Sequence, residues 1–97
     1  MTPEQRKLAH HALGLPNKTN RSYQNYYSVR EVMPAHAVWD SMVKTGWSEI
    51  VAKYSLDFLS NSPTLRGHMF RLTRAGALLA LDEGESLNPE DFPEGGE

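Results

Sequence analysis

The chain of 97 residues contains no cysteine. That absence removes a disulfide framework and any thiolate metal site, and it suits a reducing compartment. No apolar run approaches the roughly 20 residues that a membrane-crossing helix needs, and no basic stretch followed by an apolar core stands near the start. The expectation is a protein of a cell interior with no membrane association. Catalytic signatures are missing too: there is no nucleophile motif, no glycine loop that cradles phosphate, and no carboxylate pair with a reason to be perturbed. Neither an enzyme nor a cofactor-binding protein is expected.

Basic residues are absent from the last sixteen positions, which hold seven acids from Asp82 to Glu97. All ten Lys and Arg lie in residues 1–81 against five acids there, so a body of formal charge +5 precedes an acidic end. The acidic end admits three roles: solvating the chain, folding back on the basic body with Phe92 as an anchor, or imitating nucleic acid toward a partner. Residues 1–83 are expected to form one domain, and 84–97 a flexible tail.

Helix punctuation is explicit in "MTPEQRKLAHHALGLP". Thr2 can cap the free amides, Pro3 suits the first helical position, Gln5 completes a capping box, and Gly14 with Pro16 ends the run, giving a helix over 3–13. "NKTNRS" is turn material. In "YQNYYSVREVMP" both helical and alternating spacings occur, satisfied together by a turn of helix leading into a short strand near 26–32. Val38, Trp39, Met42 and Val43 repeat with helical period over 35–45, and Gly46 stops that helix. Trp47, Ile50, Val51 and Tyr54 would extend the same helical stripe, but Thr45-Gly46 reads as a stop and favours the alternative of a strand over 47–54. A loop at 60–67 and a strand over 67–72 follow, the last alternating His68, Phe70 and Leu72 with Met69 and Arg71. Thr73 then caps a helix over 73–82, apolar nearly all round, in which Gly76 permits close approach to another backbone. Ala75, Leu78 and Leu79 are expected to close the core with Phe70 and Leu72. The fold class is α+β, helices packed on a β-hairpin.

Two resemblances follow from particular segments. "FRLTRAGALLAL" at 70–81 looks like the end of the wing in winged-helix regulators, which implies a winged-helix-like domain whose hairpin touches DNA backbone. The room between the first helix and the helix at 35–45 falls short of the two consecutive helices that a complete helix-turn-helix needs. "HALGLPNK", "SYQNYY", "MVKTGW", "FRLTRAGALLAL" and "NPEDFP" together resemble a family of small tailed-phage and prophage proteins with no established activity. That resemblance implies a phage accessory protein in the bacterial cytoplasm. The family usually has an Arg where this chain has Gln24, which removes one charge from the neighbouring basic patch.

That patch holds Lys18, Arg21, Tyr23, Tyr26, Tyr27 and Arg30. Basic groups neutralise phosphates and tyrosine faces stack on unpaired bases, although the same tyrosines would serve equally to pack across the first helix. Arg66, Arg71 and Arg74 flank the wing-like strand and give it phosphate-contacting character. The candidate nucleic-acid residues are therefore Lys18, Arg21, Tyr23, Tyr26, Arg30, Arg66, Arg71 and Arg74. The alternative is a protein-interaction module, an inhibitor of a host factor or a homodimer, with exposed aromatic residues as the contact. His10 and His11 diverge by about 100° on a helix, and His36 and His68 are isolated in sequence, so no metal site is expected.

Overall fold

A computed structural model describes residues 1–55 and 66–92. The order is α1 (Pro3–Ala12), β1 (Tyr27–Arg30), α2 (Pro34–Lys44), β2 (Ser48–Ser55), β3 (Arg66–Leu72) and α3 (Arg74–Ala80). The expected α+β class holds: among the described residues three helices pack with a three-stranded antiparallel sheet in the order β1-β3-β2. One helix, α2, lies between β1 and β2. The loop expected at 60–67 falls mostly outside the described residues.

Local chemistry accounts for the element boundaries. The Thr2 side chain accepts from the Gln5 amide while Gln5 returns a bond to the Thr2 amide, so the capping box at the start of α1 is complete. Gly14 and Gly46, at φ of 77° and 82°, take the left-handed conformation that ends α1 and α2. With α2 stopped at Gly46, Trp47 turns the chain into β2, and the strand alternative for 47–54 is realised.

Alternation along the strands sets the two faces of the sheet. Tyr27 and Val29 pair with Phe70 and His68, and Ser48 and Ile50 pair with Leu72 and Phe70, which puts all of these on the helix-facing side. Ser28, Arg30, Met69, Arg71 and Glu49 occupy the opposite side. A bulge between Ile50 and Ala52 shifts the register of β2. The core gathers Trp39 and Met42 from α2, Phe70 and Leu72 from β3, and Ala9, Ala12 and Leu13 from α1. Trp39 stacks on Phe70 at 5.6 Å and lies 5.3 Å from Tyr27.

The closing helix docks by a different face from the one expected. Gly76, Ala77 and Ala80 are buried, whereas Ala75 is exposed and Leu78 and Leu79 remain 50% and 47% exposed. The reason is the closeness of the approach: the Thr73 amide donates to the Trp47 carbonyl at 3.0 Å, and a Cβ at Gly76 would strike that same carbonyl. Small residues must face such a contact, and the leucines turn away.

Candidate nucleic-acid interface

Three side chains hold the 17–27 segment in one conformation. Asn17 donates to the carbonyls of Gly14 and Arg21 at 3.1 and 2.8 Å and accepts from the Thr19 amide at 3.0 Å, closing the polar turn on itself. Asn25 makes a reciprocal pair with the Leu72 backbone at 3.0 and 2.9 Å, pinning the segment to the end of β3. Buried Ser22 accepts from the Asn88 amide at 2.8 Å. Backbone bonds from Tyr23 to Leu13 and from Tyr26 to Ala12 complete the attachment to α1.

On this fixed backbone Tyr23 and Tyr26 remain 65% and 52% exposed. The Tyr23 ring lies over Gly14, where a Cβ would collide with it. Tyr26 borders a shallow cleft of about 320 Å³ shared with His11, Gln24 and Ser28. Tyr27 leaves the group, because its half-buried ring packs on Trp39 and meets the edge of His11 at 5.7 Å. Lys18 and Arg21 are exposed in the turn, and the described residues provide no ion pair for either.

The fold distributes the eight sequence-predicted residues over several places. Lys18, Arg21, Tyr23 and Tyr26 share the turn and its exit. Arg30, at the far end of β1, lies about 10 Å beyond Tyr27 by strand rise. There it neighbours the start of β3, where Gly67 is its partner and Arg66 accepts a bond from the Glu31 amide through its carbonyl. Arg71 stands on the open face of the sheet in a cross-strand ion pair with Glu49, which cancels most of its field. Arg74 opens α3 and its guanidinium donates to the Phe92 carbonyl at 3.2 Å. Arg71 and Arg74 are therefore each engaged within the fold, by Glu49 and by the Phe92 carbonyl.

Residues 82–92 lie against the basic body. Ser86 bridges to Arg21, exchanging backbone bonds with Asn20 and Ser22 at 2.8 and 2.9 Å, and Phe92 is buried to 7% exposure. Arg6 pairs with Asp82 and donates to the Leu81 carbonyl at 2.8 Å. His10 Nε2 meets Glu85 Oε1 at 2.7 Å and lies 3.5 Å from Asp82. The Arg6 hydrogen bond holds the Asp82 carboxyl below its ordinary value of 3.8, against a smaller opposing effect of desolvation. Of the three roles open to the acidic end, folding back corresponds to these contacts as far as Phe92.

One donor atom each from His10, Asp82 and Glu85 lies within 4.8 Å of the others, a spacing that suits a cation. Arg6, His10 and the Asp82 amide already engage those carboxylates, so the cluster works as an ion-pair clasp between α1 and the acidic arm. Sequence reasoning missed Ser22 and Asn25, whose partners Asn88 and Leu72 are backbone groups far along the chain and leave no local pattern, and it read Asn17 only as turn material although its side chain closes that turn locally. It also kept His36 and His68 apart, although their rings meet between α2 and β3. No helix among the described residues is long and apolar enough to cross a membrane. Set against protein-family models, curated proteins and solved structures, the chain matches none.

Proposed function

We propose that the chain is a phage-encoded accessory or regulatory protein that binds nucleic acid through the 18–30 segment, on a reduced winged-helix frame. The observation that carries the reading is the exposure of Tyr23 and Tyr26 on a backbone already fixed by Asn17, Ser22 and Asn25, with Lys18 and Arg21 beside them. A preordered aromatic pair flanked by cations suits unpaired bases, which stack on ring faces while the backbone phosphates meet the basic groups.

The frame is supported by the sheet order β1-β3-β2, in which the strand after the first helix pairs with the second strand of a hairpin. Between β1 and β2 stands α2 alone, and its outer face offers Lys44 already paired with Asp40 at 3.6 Å. Such a helix is a poor reader of a major groove, which favours single strands over duplex. The phage assignment and the host cytoplasm rest on the resemblance of the quoted segments alone.

A protein partner is the second reading, supported by exposed Val32 and Met33 at the β1–α2 corner, beside a cleft of about 510 Å³ bordered by Arg30, Ala35 and Tyr54. Fluorescence anisotropy with labelled single-stranded DNA, single-stranded RNA and duplex separates the two. Binding to a single strand is expected to weaken with salt, with a log–log slope of about −2 for three neutralised phosphates. No binding to any of the three at low salt would overturn the nucleic-acid reading and leave the protein partner.

A further inference from the structure

We propose that His36 and His68 form a two-imidazole site for a divalent late transition-metal ion, Cu²⁺, Ni²⁺ or Zn²⁺. The two residues are 32 positions apart, on α2 and β3, yet His36 Nε2 and His68 Nδ1 approach to 2.6 Å and their ring centroids to 4.8 Å. Both rings are held from below by Phe70, which meets their edges at 5.4 and 5.9 Å. Each ring is only half-buried, so water has access to the remaining coordination positions.

Neutral imidazoles are the preferred ligands of these ions, and a metal–nitrogen bond of about 2.0–2.1 Å puts two cis nitrogens about 3 Å apart. The rings need to part by about 0.3 Å for the roughly 90° angle of Cu²⁺ or Ni²⁺ and by about 0.8 Å for tetrahedral Zn²⁺. Two N→metal bonds then replace one N–H···N hydrogen bond, and the donor ring moves its proton to its other nitrogen, so no net proton is released from neutral rings. The described residues bring no carboxylate into contact with either ring. Beside His68 the sheet places buried Val29 on one side and exposed Lys53 on the other. Lys53 is a nearby cation that opposes metal charge, and its removal should strengthen binding.

The test is calorimetric titration of the tag-free chain with CuCl₂, NiCl₂ and ZnCl₂ near neutral pH, with imidazole ¹⁵N spectra recorded in parallel. One ion per chain is expected, tightest for Cu²⁺. His36→Gln and His68→Gln should each weaken binding about tenfold or more, Lys53→Gln should tighten it, and His10→Gln should leave it unchanged. In the wild-type protein the His36 and His68 resonances should respond before those of His10 and His11, a readout that does not depend on how the variants fold. The proposal is overturned by absence of saturable binding, by binding that His36→Gln leaves intact, or by ring signals that place the ion at His10 and Glu85.

Discussion

At the scale of single residues, the tightest constraint is Gly76, whose missing side chain lets α3 rest on the Trp47 carbonyl. Gly76→Ala is expected to cost about 1–3 kcal/mol or more, because the obstacle is backbone and not a flexible side-chain tip. Gly46→Ala meets open space and should cost about 1–2 kcal/mol from its positive φ alone. Urea unfolding of the two variants should rank them in that order. Trp39 is a second case, fully buried with no partner for its indole N–H among the described residues. Trp39→Phe is therefore expected to be much milder than Trp39→Ala, which should lose about 3–5 kcal/mol, because it keeps most of the ring packing and removes the unsatisfied donor. Residues acting within one turn were legible in the sequence: Thr2 with Gln5, Gly46 as a stop, Thr73 as a cap and Gly76 as a close-approach position. Leu78 and Leu79 were not, since apolar character says that a helix has something to bury and not which face a neighbour can accept. The His36–His68 meeting was beyond reach for another reason, because it depends on strand register and helix docking together.

At the scale of elements, the acidic arm and α1 form a unit joined by charge. Arg6 lowers the Asp82 carboxyl, so the stabilisation from that pair is present above the unfolded-state value near 3.8 and is lost as pH falls through the lower folded value. Arg6→Gln should accordingly reduce the melting temperature at pH 7, with the gap to wild type narrowing only as pH falls below 3.8 toward the lower folded value, and shrinking in salt. Phe92 supplies the apolar side of the same attachment. Phe92→Ala is expected to cost about 2–4 kcal/mol and to expose the amides of 84–92 to rapid hydrogen exchange while those of β3 stay protected. The sequence displayed the charge asymmetry and even the anchor, but the partners Arg6 and His10 lie more than seventy residues from Asp82 and Glu85. The strands were more readable than the clasp, because alternation of Phe70 and Leu72 with Met69 and Arg71 is a local signal of sheet faces.

At the scale of the whole molecule, much of the positive charge counted along residues 1–81 is engaged by partners within the fold. Arg6 is taken up by Asp82, Arg71 by Glu49 and Lys44 by Asp40, while Arg74 reaches the arm at Phe92. What stays together is the turn with Lys18, Arg21, Tyr23 and Tyr26, and the account makes that turn the binding element. The candidate site was thus half legible: the residue types in 18–30 were apparent, but the diversion of Arg71 by an ion pair followed only from β2–β3 register. The most direct measurement compares the affinity of wild type, Tyr23→Ala/Tyr26→Ala and Arg71→Ala for one labelled single-stranded oligonucleotide at fixed low salt. The account predicts a loss of about 1–3 kcal/mol per stacked base in the tyrosine double variant and little change for Arg71→Ala. Equal binding by wild type and the tyrosine variant, or a larger loss from Arg71→Ala, would contradict it.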